Sequence, residues 1–243
     1  MTPRTSDFTA AFLRSFAVQG SWNYRTMIGG GVAYALLPLL QRIHAGNPVA
    51  LKESIERHSS AFNAHPYLSP VAIGAFARLE HDGHDAATIE RFRAALRGPL
   101  GALGDQAVWA GWRPFCTLGA TIAFCLGLDP RLAALAFVLV YNAAHLALRV
   151  WGLRAGWAHG LDVGRVLKGS PLKAVGARLV PINEALLGTV MVLLLARAPD
   201  LVASPTLGGV VATVSLGAFF LPGRAGTVAI LALFASCAVW LLP

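Results

Sequence analysis

The sequence predicts an all-α, polytopic membrane protein that combines interfacial amphipathic helices, short broken or re-entrant helices and several transmembrane helices. Three observations lead there. Only 13% of the 243 residues are charged and 56% are hydrophobic, whereas a soluble domain carries about 25% charged residues. The apolar residues gather in blocks instead of being spread as a soluble core needs, and mean hydropathy is +0.59. The formal net charge of +8 falls between those blocks, as expected of basic cytoplasmic loops facing anionic lipid. Nucleic acid would also suit a pI near 10.1, but that reading needs basic residues along one aromatic-studded face, which this chain lacks.

The elements follow in order, as one domain over 1–243: amphipathic and re-entrant segments over 1–114, transmembrane helices over 115–243. Phe8, Phe12 and Phe16 recur at i, i+4, i+8 and predict a short helix over 6–18, capped by Ser6 or Asp7, lying on the membrane or a partner. Polar residues interrupt this stretch, so it does not read as a cleavable signal, and insertion is expected to rely on internal spans. Residues 27–40 are apolar but broken by Gly29-Gly30-Gly31 and Pro38. They are too short to cross a core of about 30 Å as a regular helix. Asn47-Pro48 opens a polar helix, with Asn as cap and Pro at the first position. Leu51, Ile55 and Phe62 line one side of it, and Glu53 and Arg57 are placed to pair. An apolar piece over 68–79 leads into a charged loop over 80–85. A second amphipathic helix then turns Ile89, Phe92 and Leu96 to one face and Glu90, Arg91, Arg93 and Arg97 elsewhere.

Apolar blocks occupy 115–128, 132–148, 179–196, 201–221 and 226–242, the last three near spanning length. The connection 149–178 is rich in Arg and Lys, with Asp162 as its one acid, and is expected to be cytoplasmic. Arg224 then falls inside, the 197–200 turn outside, and the C-terminus on the extracytoplasmic side. Cys116, Cys125 and Cys237 all lie in apolar stretches without a C-x-x-C pair and read as buried hydrophobes.

Four clusters carry polar chemistry. Gln19 with Gly20-Ser21-Trp22-Asn23-Tyr24 combines amides, a hydroxyl and an indole before a glycine-broken segment. That mixture suits sugar hydroxyls and C–H faces, and equally an interfacial anchor. In Phe62-Asn63-Ala64-His65-Pro66-Tyr67, Pro66 keeps His65 out of a helix, free to meet a ligand or a carbonyl. Gly98-Pro99-Leu100-Gly101-Ala102-Leu103-Gly104-Asp105 is glycine-spaced but lacks the Lys-Ser or Lys-Thr of a phosphate loop, so close packing or a re-entrant turn fits better. Asp105 leads into an apolar block, which is costly for an acid unless it is paired or functional. On a regular helix Trp109 and Arg113 would follow on its side, so that Asp105 and Arg113 could partner each other, or serve substrate or a neighbouring subunit. His81-Asp82-Gly83-His84-Asp85 is first a turn signal, and no metal is assigned to it. No cofactor is expected. No H-E-x-x-H, G-x-S-x-G or Mg²⁺-holding acidic cluster nominates an enzyme.

Taken in order, these clusters resemble the IID membrane component of mannose/fructose/sorbose-type sugar phosphotransferase systems. The likeness lies at Phe12-Leu13-Arg14-Ser15, at Gln19-Gly20-Ser21-Trp22-Asn23, and at His58 with Phe62-Asn63 and His65-Pro66-Tyr67. It continues through Gly98-Pro99-Leu100, Gly104-Asp105, Trp109 and Arg113-Pro114, then Asn142, Arg149, Gly152 and Gly160-Leu161-Asp162. The resemblance implies a multi-pass protein of the bacterial cytoplasmic (inner) membrane that pairs with a IIC subunit of related, inverted fold. The pair would carry a hexose-type sugar inward, for phosphorylation by soluble IIA and IIB proteins, within a higher oligomer of IIC–IID pairs. Substrate would sit near the midplane among broken helices. Gln19, Ser21, Trp22, Asn23, Asn63, His65, Asp105 and Arg113 are then the candidate substrate-binding residues, with no catalytic residue on this chain. Arg25-Thr26 stands where the family usually has Glu-Arg, which leaves open a second expectation: a non-transporting IID acting as scaffold or sensor.

Overall fold

The computed structural model describes residues 1–197. The chain forms two compact units, Met1–Leu187 and Gly188–Pro243. Of the second, only residues 188–197 fall among the described residues. The expected spans over 201–221 and 226–242, the complete 197–200 turn, Arg224 and Cys237 lie outside them.

The first unit is helical, and no strand occurs among the described residues. Helix α1 (Thr5–Arg14) continues into a 3₁₀ turn at Ser15–Ala17. Its Asp7 acts from inside the first turn, accepting from the Arg4 N–H at 2.7 Å, so neither Ser6 nor Asp7 is the cap residue itself. The Phe8 and Phe12 stripe packs on the core, Phe8 edge-on against Trp157 at 5.0 Å.

Helix α2 (Gly29–Ile43) begins at the three glycines instead of being broken by them. Each glycine admits a close neighbour. A Cβ on Gly29 would overlap the Ser60 carbonyl, one on Gly31 the Val18 backbone, and one on Gly30 would come within 2.9 Å of the Ser21 hydroxyl. Pro38 sits inside this helix and cannot donate to the Tyr34 carbonyl four residues back. The Arg14 guanidinium donates to that carbonyl instead, at 3.4 Å.

Helix α3 (Pro48–Ser59) starts as its sequence says, with Asn47 accepting from the Ala50 N–H at 3.0 Å. Arg57, however, reaches Glu80 and not Glu53. Helix α4 (Ser69–His81) is buried along almost its whole length and takes in Glu80, so the charged loop begins later than its sequence suggests. Gly83, at φ +73°, makes the turn that Asp82-Gly83 signals. Asp85 then caps helix α5 (Ala86–Gly104). The chain continues without a turn through a π-helical segment, Asp105–Trp112, into helix α6 (Arg113–Cys125). A re-entrant turn at the Gly-Pro stretch is therefore ruled out.

Helix α7 (Pro130–His159) is capped by Asp129; at 1.5 Å per residue it is about 45 Å long. Leu132, Leu135, Val138, Leu139 and Val140 are exposed on its first half. Its second half is buried against α4, backbone to backbone: a Cβ on Gly74 would lie 2.7 Å from the Trp157 nitrogen, and one on Gly156 2.7 Å from the Ala75 nitrogen. Small residues at such a crossing let helices meet where lipid supplies no hydrophobic drive. The helix ends at Gly160, at φ +49°. Much of the expected 149–178 connection is thus helix, and Arg149 is buried inside it. Helices α8 (Val163–Gly169) and α9 (Leu172–Ala196) follow. Among the described residues, one stretch within Pro130–Leu194 is long and apolar enough to cross a membrane.

Candidate functional site

The loop before α2 is built by Asn23. Its carbonyl oxygen accepts from the N–H groups of Arg25 (3.0 Å) and Thr26 (2.9 Å). Its amide donates to the Ser21 carbonyl (3.1 Å) and the Thr26 hydroxyl (2.7 Å). All its polar capacity is directed inward, so Asn23 shapes the loop and presents no free group to a ligand. Arg25 contributes its backbone N–H, a group any non-proline residue supplies, and its side chain is exposed. Met27 turns through φ +53° and bridges both Asn23 and Phe62. The Phe62 N–H donates to the Thr26 carbonyl at 3.2 Å, and the Ile28 N–H to the Phe62 carbonyl at 3.0 Å. This stitching sets exposed Asn63 beside the loop that carries Gln19, Ser21, Trp22 and Tyr24, all exposed. Trp22 (46% exposed) and Tyr24 (86%) meet edge-to-face at 4.9 Å.

His65 is buried and joins the second cluster to the third. A Cβ on Gly104 would overlap its ring, which is why glycine stands there. Trp109 packs on the same ring at 4.8 Å. His65 Nδ1 accepts from the Tyr67 N–H at 3.2 Å, while its Nε2 is buried without a partner. Tyr67 carries the contact on to α7. It stacks on His145 at 3.7 Å between ring centres, and its hydroxyl meets that of Tyr141 at 2.6 Å. Arg149 donates to His145 Nε2 and to the Ser15 carbonyl (2.9 Å) and hydroxyl (3.0 Å), lying over the rings of Phe16 and Tyr67. Three sequence clusters thus converge, through an aromatic chain, on one polar anchor.

Asp105 and Arg113 do not pair. Arg113 lies over the Trp109 ring at 5.3 Å, and Asp105 is exposed with no ion pair among the described residues. The segment between them is π-helical, so the regular helical spacing assumed from sequence does not apply. Pro114, which has no N–H, follows this segment. The Asn183 amide donates to the carbonyls of Ala110 (3.0 Å), four residues before that proline, and Gly111 (2.9 Å).

A buried charge cluster escaped the sequence reading. Arg93, expected on a polar face, is 2% exposed and lies over the rings of Phe62 and Phe76. It donates to His58 Nδ1 at 3.0 Å. A guanidinium only donates, so Nδ1 is the acceptor and Nε2 carries the hydrogen, which goes to Glu80 at 2.9 Å. His44 and Arg57 complete the set around Glu80 at 3.2 and 3.3 Å. Burial holds the His58 pKa down to about 4, against the pull of the Glu80 hydrogen bond and with help from the Arg93 charge. Burial pushes the Glu80 carboxyl up, but the hydrogen bond from His58 and the Arg57 charge outweigh it and leave its pKa below the ordinary value. In the turn beyond, Asp82 is taken by Arg78 at 2.7 Å and His81 at 3.3 Å. Among the described residues no group of three His, Cys, Asp or Glu side chains could hold a metal ion.

Comparison with known proteins bears on these features. Residues 4–198 match the model of the PTS system mannose/fructose/sorbose family IID component. The chain is 33% identical over 174 residues to the mannose-specific EIID component of Escherichia coli K12, covering 69% of this chain and 60% of that protein. It is 29% identical over 169 residues to the fructose permease IID component of Bacillus subtilis strain 168, covering 67% and 60%. The chain therefore spans about three fifths of the length of these relatives. Among solved structures it is similar to a chain of the mannose transporter ManYZ complex with microcin E492 (TM-score 0.59, 31% identity, 77% of this chain and 69% of that one). A second structure, described as a membrane protein, matches with TM-score 0.67 at 29% identity, over 78% of this chain and 71% of that one. With the glycine-built helix starts, the HPY segment and the Gly-Asp π segment matched within one family profile, the chain belongs to the mannose/fructose/sorbose family of phosphotransferase-system IID components, a family of membrane proteins.

Proposed function

We propose that this chain is a IID subunit that forms, with a IIC subunit, a sugar-translocating unit in the bacterial inner membrane. The observation that carries the reading is the convergence of the 19–27 loop, the 62–67 segment and the 104–113 segment on one another. Asn23 holds the loop so that Gln19, Ser21 and Trp22 face outward with Asn63 beside them. Those four side chains combine the hydroxyl partners and aromatic face that a hexose-type sugar requires. His65 and Trp109 form the packed floor behind them, and exposed Asp105 and Arg113 face the IIC partner. The mannose transporter named in the structural match supports a sugar of this class. π-helical segments recur at functional sites, which supports placing the moving part of the unit at 105–112.

The protein is multi-pass, its exposed apolar α7 face meeting lipid or the partner helix. The basic stretch after Arg149 faces the cytoplasm, where IIA and IIB proteins phosphorylate the incoming sugar, and IIC–IID pairs assemble into a higher oligomer. Coexpression with a mannose-family IIC subunit, followed by phosphoenolpyruvate-dependent uptake across a hexose panel, tests the proposal. Uptake of at least one hexose is expected. A IIC–IID complex that assembles and carries none of them contradicts it and favours the scaffold or sensor role.

A further inference from the structure

A cavity of about 450 Å³ opens between the π segment, α7 and the start of α9, with Tyr67 among its lining residues. Its wall is almost wholly apolar: Val108 and Trp112 from the π segment, Leu148 and Trp151 from α7, Leu172 and Val175 from α9. A sugar has no use for such a wall, since every hydroxyl it buried there would lose its hydrogen bonds to water. The cavity thus stands apart from the sugar reading, and the inference does not rest on it.

The chemistry changes at one edge. The α8–α9 link, Ser170-Pro171-Leu172, lines the cavity; exposed Lys173 follows it directly and exposed Lys168 stands two residues before it. Neither lysine has an ion pair among the described residues, and the nearest acid along the chain, Asp162, is engaged by Arg165 at 3.6 Å. Leu172 and Lys173 open a 25-residue helix, so their N–H groups have no carbonyl ahead of them in the helix and add partial positive charge at the same edge. Trp112, on the wall, buries its indole N–H without a partner. An apolar slot with a cationic rim has the charge pattern of a lipid-binding pocket at a membrane surface.

We propose that this cavity binds one acyl chain of an anionic phospholipid, whose headgroup is held at Lys168 and Lys173. A zwitterionic lipid would fill the slot but gain nothing at the rim. A soluble phosphate would meet the rim but not the slot. The combination selects the anionic lipid.

The test uses the full chain with its IIC partner in nanodiscs, and phosphatidylglycerol against phosphatidylcholine of identical chains. Wild type should retain phosphatidylglycerol about tenfold over phosphatidylcholine by native mass spectrometry after delipidation. K168Q/K173Q should lower that preference to near unity, and A147F, which puts a large ring at a lining residue of α7, should abolish retention of both lipids. Equal retention of the two lipids by wild type overturns the proposal. So does unchanged phosphatidylglycerol retention in A147F, or displacement by glycerol 3-phosphate alone. If either variant fails to fold, photolabelling of wild type with a diazirine-chain phosphatidylglycerol still decides: adducts on Val108, Trp112 or Trp151 are expected, and adducts confined to other residues contradict the site.

Discussion

The amide of Asn183 donates to the carbonyl of Ala110 at 3.0 Å, four residues before Pro114. That carbonyl lies near the end of the π segment, where the following turn offers it the N–H of residue 114 or 115, and Pro114 has none. Arg14 serves the Tyr34 carbonyl ahead of Pro38 in the same way. Both prolines thus leave an acceptor that a distant side chain satisfies, tying α9 to the π segment and α1 to α2.

Replacing Asn183 with leucine should cost about 1 to 3 kcal/mol, the range for leaving a buried carbonyl unpaired. In a Pro114→Ala background the new N–H can take over, so the same change should cost much less. Thermal unfolding of the four proteins in one detergent gives the coupling directly, and equal losses in both backgrounds would show that Asn183 does not compensate the proline.

The buried set around Glu80 predicts a second asymmetry. Glu80→Ala strands Arg57 and the buried Nε2–H of His58 and should cost about 3 to 5 kcal/mol, as breaking a buried ion pair does. Lys52→Ala breaks the exposed pair with Glu56 and should cost less than about 0.5 kcal/mol. Denaturant titration of each variant checks the contrast.

Acid should destabilise the protein through His58, with His65, also held down to about 4 chiefly by burial, acting in the same window. The folded pKa of His58, about 4, lies below the ordinary 6.5, so its contribution is complete above about pH 6.5 and is lost as pH falls toward 4. The shift from 6.5 to about 4 amounts to roughly 3 kcal/mol at most. Glu80 acts in the same direction at lower pH, because its folded pKa is also depressed. A His58→Gln variant should start less stable yet show a flatter melting profile between pH 6.5 and 4.5. A profile as steep as that of wild type would place the acid sensitivity elsewhere.

The glycines separate by what surrounds them. Gly156→Val drives a side chain into the α4 backbone and should cost 1 to 3 kcal/mol or more, at about the upper end for overpacking. A Cβ at Gly101 would meet nothing within 4 Å, so Gly101→Ala should be neutral or gain up to about 1 kcal/mol from helix propensity. Thermal unfolding of each variant against wild type checks the contrast, and a destabilising Gly101→Ala would show that the 98–104 stretch matters beyond Gly104.

What was legible in the sequence was local. Asn47-Pro48, Asp82-Gly83 and the Phe8–Phe12 stripe state their structure within a few residues, and each is found where its chemistry puts it. The four polar clusters were also visible, because polar and glycine residues stand out against apolar blocks. Their internal economy was not. Asn23 looks like a ligand group in sequence, but its hydrogen bonds turn inward to residues 21–26. Arg93 and Glu80 read as solvated charges because their partners lie 22 to 36 residues away. Arg149 finds Ser15 across 134 residues. The π segment carries no residue signature of its own, and assuming regular helical spacing there allowed a pairing of Asp105 with Arg113 that does not form. Gly74, Gly152 and Gly156 showed no sign of their crossing until two helices were in place.

The proposal that the 19–27 loop contacts sugar is tested most directly by Trp22→Ala. Among the described residues the ring contact of Trp22 is with exposed Tyr24, so its loss should leave the fold and the IIC complex intact. With a IIC partner, phosphoenolpyruvate-dependent uptake should then fall by roughly tenfold or more, equivalent to at least about 1.4 kcal/mol of lost sugar contact. Unchanged uptake from an equally assembled complex would contradict the site.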